Sequence, residues 1–168
     1  MKYEPTCLEC DGCRFVLKQI GKKSLVVIGL NPSTADTVKS DATMRRVMGY
    51  AERNGFDSFI ILNLYPQRTT NPNELDWEFD STKHQANLNA IKQSLQEISK
   101  PTVLLGYGNN IGIRNYLRSC LKEIVETLQP FNPSYKIIGQ YTKDGNPRHP
   151  SRGSYQDLTD VDITKLIQ

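Results

Sequence analysis

"VVIGLNPSTAD", residues 26–36, joins a run of aliphatic residues to a small polar cluster through Gly29. The run has no polar alternation, so it reads as a strand covered on both faces, as strands of parallel sheets are. Asn31, Pro32, Ser33, Thr34 and Asp36 follow it at once. Open α/β sheets bind ligands just beyond the carboxyl ends of their strands, so this cluster is the first candidate for a site.

The same pattern recurs. "SLVVIGL" (24–30), "SFIILNL" (58–64), "TVLLGYG" (102–108) and "YKIIGQY" (135–141) are apolar runs separated by segments of helical period. "DATMRRVMGYAERNG" places Met44, Val47, Met48 and Ala51 on one face, with Asp41 or Thr43 as cap and Gly55 as stop. "STKHQANLNAIKQSLQEISK" repeats Leu88, Ile91, Leu95 and Ile98 and stops before Pro101, and "NNIGIRNYLRSCLKEIVETLQ" predicts a third helix. "CRFVLKQIGKKSLVVIG" reads as a hairpin turning at "IGKK", which places Cys13 inside a strand. The expected fold is a single α/β domain over residues 1–168. It is a three-layer α/β/α sandwich, with a central four-stranded, mainly parallel sheet, a short N-terminal edge strand and right-handed crossovers.

The chain has 168 residues, 38% of them hydrophobic, with a formal charge of +3. That charge permits a nucleic-acid face without demanding one. No apolar run approaches the ~20 residues of a membrane span, and "MKYEPTCLECDGC" lacks the apolar core of a signal peptide. A cytoplasmic protein with no membrane partner, monomeric, is expected.

Cys7, Cys10 and Cys13 form C-x2-C-x2-C, a spacing that can hold an iron–sulfur cluster or zinc, with Cys120 able to complete the set. The plainer reading, with no cofactor, leaves reduced thiols, Cys13 filling space in a strand.

Each apolar run ends in groups suited to a site. After the first, Gly29 lets a ligand approach the backbone, Pro32 fixes the turn that aims Asn31, and Ser33 follows. Asn63 ends the second run as a buried amide that must find partners, with Tyr65 and Arg68 just beyond it. The last run leads to "GNPRHPSRGS", where Pro147 and Pro150 flank His149, which is placed to donate to a developing anion, and Arg148, Ser151 and Arg152 are placed to grip phosphates. Asp36 and Asp41 are candidates for activating water, or simply helix-start carboxylates; His84 reads as a solvated helix residue. The chain has no G-x-S-x-G, P-loop, G-x-G-x-x-G or H-E-x-x-H motif, which sets aside the chemistries those motifs perform.

"GLNPSTADTVKSDATMRRVMGYAERNGFDSFIILNLYPQRTTNPNEL" together with "YTKDGNPRHP" resembles the bacterial and phage family catalogued as domain of unknown function 1643. The arrangement is also similar, more distantly, to the uracil-DNA glycosylase superfamily. "GLNPS" is similar to that superfamily's first motif, which implies that Asn31 positions water. "ILN" resembles its base-reading strand end, which implies that Asn63 reads a base edge. "HPSRGS" resembles its last loop, which implies that His149 stabilises the leaving anion, with Ser151 and Arg152 against the nucleic acid. The sequence departs from the uracil-specific members in having Asn31 where they have aspartate and from the iron–sulfur members in cysteine spacing, and it offers only Tyr65 and Tyr107 as base-stacking candidates. The resemblance implies a glycosylase-like hydrolase of a uracil-type or modified pyrimidine. The alternatives are a non-catalytic nucleotide- or nucleic-acid-binding protein of the same fold, and a module that binds a protein partner.

Overall fold

A computed structural model describes residues 1–168, an α/β protein built on a seven-stranded mixed sheet with three α-helices. The strands are β1 (Thr6–Cys10), β2 (Cys13–Gln19), β3 (Ser24–Gly29), β4 (Ser58–Asn63), β5 (Thr102–Leu105), β6 (Ser134–Ile138) and β7 (Leu158–Asp160), in the order β1-β2-β4-β3-β5-β6-β7. The pairs β4–β3, β3–β5 and β5–β6 run parallel; β1–β2, β2–β4 and β6–β7 run antiparallel.

The apolar runs are continuous because each inner strand serves two cores. Leu25 and Val27 of β3 join Phe59 and Ile61 of β4 under helix α1 (Ala42–Arg53), whose Met44, Val47, Tyr50 and Ala51 complete that cluster. Val26 and Ile28 join Ile60 and Leu62 on the other face, beneath α2 (Ser81–Ser94) and α3 (Leu117–Leu128). Each such aliphatic side chain contributes about 1.5–3 kcal/mol by leaving water.

Local chemistry sets the helix ends. The Asp41 carboxylate accepts the Met44 N–H at 2.8 Å to start α1, and Asn54 and Gly55 stop it. Helix α3 starts at Leu117, eight residues later than its periodic pattern. The reason is Arg114: its guanidinium donates to the carbonyls of Asn73, Leu75, Asp76 and Ile113, which anchors the 71–80 loop and leaves residues 109–112 as a 3-10 turn.

The sheet corrects two expectations. It has seven strands rather than four and one edge strand, because the N-terminal segment makes two strands and the polar segment 158–160 adds a third at the opposite edge. The predicted hairpin between residues 13 and 29 does not form: both edges of β3 are taken by β4 and β5, so β2 pairs with β4 instead. The hairpin lies one turn earlier. Cys10 pairs with Cys13 across Asp11 (φ 47°) and Gly12 (φ 74°), a two-residue turn with both central residues left-handed.

No helix is long and apolar enough to cross a membrane. Gly12→Ala is expected to lower the unfolding free energy by about 1–2 kcal/mol, the cost of a side chain at a left-handed position. An unchanged urea midpoint would show that this turn does not depend on its glycine.

Candidate functional site

A cavity of about 600 Å3 opens at the carboxyl ends of the parallel strands, a volume that suits a small ligand. It sits where the chain leaves β3 for α1 on one face and β5 for α3 on the other, the point at which the strand order reverses. Missing side chains shape it. A Cβ on Gly29 would stand 2.9 Å from Asn63 Oδ1, and one on Gly106 would stand 3.0 Å from Pro150 Cδ. Gly108 has φ 68°, and a Cβ there would stand 3.3 Å from His149 Cβ. The loop after β6 thus rests directly on the end of β5. Arg46 of α1 holds it from the other side, donating to the carbonyls of Pro150 at 3.0 Å and Gly153 at 2.9 Å.

Asn31, Asn63 and His149 all line this cavity. The Asn31 amide NH2 faces only acceptors: the carbonyls of Pro32, Gln67 and Thr69 and the Thr69 hydroxyl oxygen, the last at 2.8 Å. That network fixes the amide orientation and leaves Oδ1 as an acceptor without a protein donor. Asn63 is 3% exposed, and its Nδ2 has no hydrogen-bond partner. Its backbone carbonyl is pinned by Asn87 Nδ2 at 2.9 Å, which holds the strand end in place.

His149 has a defined tautomer. Its Nδ1 accepts the Ser151 backbone N–H at 3.2 Å and lies 2.7 Å from Ser151 Oγ. A backbone N–H can only donate, so the ring proton of the neutral imidazole sits on Nε2. Burial, then the charge of Arg152, hold its pKa below the ordinary value, while Asp41 pulls the other way. The cavity therefore offers one acceptor and two donors, two from the ends of β3 and β4 and one from the loop after β6.

Gly29, Ser33, Arg148, Ser151 and Arg152 also line the cavity. Arg148 is steadied by donating from Nε to the Gln140 carbonyl at 2.9 Å.

Four expected residues lie off it. Asp36 caps its own turn, its Oδ1 accepting from the N–H groups of Val38 and Lys39, which hold its carboxyl below the usual range. Arg68 spends its guanidinium on the carbonyls of Ser33 and Ala35 and the carboxylate of Glu9. Tyr65 is fully buried against Tyr116 and Phe79, its hydroxyl oxygen accepting the Asp80 N–H. Pro32 is buried in the turn, its carbonyl accepting the Thr69 N–H.

Two residues take on roles the sequence left open or missed. Asp41 is the only carboxylate lining the cavity; one of its oxygens caps α1 and the other makes no hydrogen bond within the protein. Arg14 also lines it, reached from β2. A charged residue in the otherwise apolar "RFVL" was the available signal. Tyr107 is the only Phe, Tyr or Trp on the lining.

His84, expected on a solvated face, is buried beside Phe79, with Nε2 3.2 Å from a Glu123 carboxylate oxygen. The four thiols do not gather. Cys10 faces Cys13 across the hairpin turn, Cys7 lies further along β1, and Cys120 is in the core of α3, where burial pushes its thiol up to about 12. No three His, Cys, Asp or Glu side chains are grouped to hold a metal ion.

Residues 14–151 match the family described as "Protein of unknown function (DUF1643)", and the chain belongs to that family. No curated protein and no solved structure matches the chain.

The His149 environment has a consequence for stability. The unfolded chain protonates this imidazole near pH 6.5, whereas the folded loop takes the proton only at lower pH. Between those points the unfolded state binds more protons, so stability falls as pH falls. The wild type is expected to lose unfolding free energy relative to His149→Gln as pH drops below 6.5. Parallel pH profiles for the two proteins would contradict this.

Proposed function

We propose that this member of the family is a hydrolase that cleaves the base–sugar N-glycosidic bond of a uracil-type or modified pyrimidine, presented in nucleic acid or as a nucleotide. One observation supports the reading above others: Asn31 and Asn63, from the ends of β3 and β4, and His149, from the loop after β6, line a single cavity, each with a hydrogen-bonding atom unused by the protein. The likeness of "GLNPS", "ILN" and "HPSRGS" to the motifs of the uracil-DNA glycosylase superfamily points the same way, and with it a fold of that kind.

In this reaction the bond between C1′ and the ring nitrogen breaks, and its electron pair leaves with the base. Positive charge builds on the sugar and negative charge on the base. His149 Nε2–H donates to the base oxygen that gains charge, and Asn63 Nδ2 donates to a carbonyl on the base edge. Water attacks C1′ from the opposite face. Asn31 Oδ1 accepts one of its hydrogens and the free oxygen of Asp41 takes the proton it releases, a role for which the sequence offered both Asp36 and Asp41. Water thus supplies a hydroxyl to the sugar and a proton that finally restores the base. In a duplex the base must first leave the stack, and Ser151 and Arg152, exposed at the rim, are placed to offset that cost against the backbone.

A second reading, a nucleotide-binding protein without turnover, is favoured by Asn31 standing where uracil-specific enzymes have an acid. The two are separated by incubating the protein with oligonucleotides containing uracil, mismatched thymine or modified pyrimidines and assaying for abasic sites. Abasic product is expected, with His149→Ala slower by ~100-fold or more and Asp41→Asn slowed with binding intact. Nucleotide binding without abasic product would support the second reading; neither binding nor product would sink both.

A further inference from the structure

Arg14 is the charged group the structure explains least. It is 4% exposed, yet none of the protein's ion pairs includes it. The one hydrogen bond of its side chain runs from Nη1 to the Ala35 carbonyl, and its Nε has no acceptor at all. Arginine stays charged under ordinary conditions, and a buried charge without a counter-charge is costly. An apolar side chain would pack between β2 and the 31–36 loop without that cost.

The cavity gives the charge a use. Arg14 and Asn63 line the same cavity, and each holds a buried N–H donor, Arg14 Nε and Asn63 Nδ2, that finds no acceptor in the protein. Asp41, the only carboxylate on the lining, lies beyond ion-pair distance of the guanidinium. A ligand entering the cavity can supply the acceptor that the protein does not. A guanidinium presents parallel N–H groups that match a carboxylate or phosphate in two-point contact.

We propose that Arg14 forms an anion subsite: the ligand carries an oxyanion, either a carboxylate on the base or a phosphate, which accepts from the Arg14 guanidinium while Asn63 donates to a neutral carbonyl of the same ligand. The pyrimidine ring used as probe rests on the function proposed above; the anion does not, and its test needs no turnover.

The test is calorimetric titration of the full chain with two matched pairs, uracil against 5-carboxyuracil and deoxyuridine against deoxyuridine 5′-monophosphate, plus inorganic phosphate, at one fixed salt concentration. The wild type is expected to bind one anionic member roughly ten- to a hundredfold more tightly than its neutral counterpart, the scale of hydrogen bonds to a charged group. Arg14→Met should erase that preference, weakening the anionic member far more than its neutral counterpart. Arg14→Lys should keep part of it, since an ammonium keeps the charge and loses the fork. A preference for 5-carboxyuracil assigns the anion to the base, and one for the monophosphate assigns it to the nucleotide. If Arg14→Met does not fold, the wild-type preference and its reduction in Arg14→Lys decide. Binding of uracil or deoxyuridine without any anionic preference, or a preference that survives in Arg14→Met, overturns the anion subsite and spares the pyrimidine reading. Inorganic phosphate binding that depends on Arg14, with no pyrimidine bound, upholds the subsite and sinks the pyrimidine reading.

Discussion

The site depends on side chains that are absent. Strand β3 ends at Gly29 and the chain after β5 continues as Gly106-Tyr107-Gly108, and each bare backbone is occupied by a neighbour's atoms: the Asn63 amide against Gly29, Pro150 against Gly106, His149 against Gly108. Contacts of 2.9–3.3 Å leave no room for a methyl group without displacement. The Gly106 N–H donates to the Ile28 carbonyl at 2.8 Å, which fixes the end of β5 to β3, and Pro150 of the last loop packs against that fixed backbone. The position of the imidazole is thus set by the central strands rather than by its own loop alone.

Around that frame the polar groups divide into those spent on structure and those left over. Asn31 spends its NH2 on the 67–69 segment and keeps Oδ1; His149 spends Nδ1 on Ser151 and keeps Nε2; Asp41 spends one oxygen on α1. In each case the structural bond orients the unused atom, which makes the site rigid before any ligand arrives. Buried polar atoms are nearly always satisfied in folded proteins. The unpartnered Asn63 Nδ2 therefore says more about a ligand than an exposed amide would.

The continuous apolar runs made four inner strands and three helices legible, because burial on both faces leaves a mark that does not depend on partners. Pairing was less legible. "CDGC" was read for the spacing of its thiols, although Asp-Gly between two short strands is also a strong hairpin signal, and the structure uses it as a turn. The choice of β4 rather than β3 as partner for β2 is a long-range competition that no local pattern encodes. Among the candidate site residues, Asn31 and Asn63 were legible because they close apolar runs, and His149 because Pro147 and Pro150 flank it in a basic loop. Asp36 and Asp41 could not be told apart, since only four residues of loop separate them and the folded turn decides which faces the cavity. Segment 158–160 is too polar to announce itself as an edge strand.

Strand direction explains why residues so distant in sequence meet. In a parallel sheet every strand ends on the same side, so loops after β3, β4, β5 and β6 gather there, and the N-terminus of α1 begins there, which brings Asp41. An antiparallel neighbour does the reverse: β2 runs against β4, so its first residues, not its last, lie at that edge. The Arg14 N–H donates to the Pro66 carbonyl at 2.9 Å just past the end of β4. A parallel strand in the same place would carry its beginning to the opposite side of the sheet, away from the cavity. The N-terminal hairpin is thus more than an edge covering: by running backwards it delivers a cation from the start of the chain to a cavity whose other groups come from the strand ends.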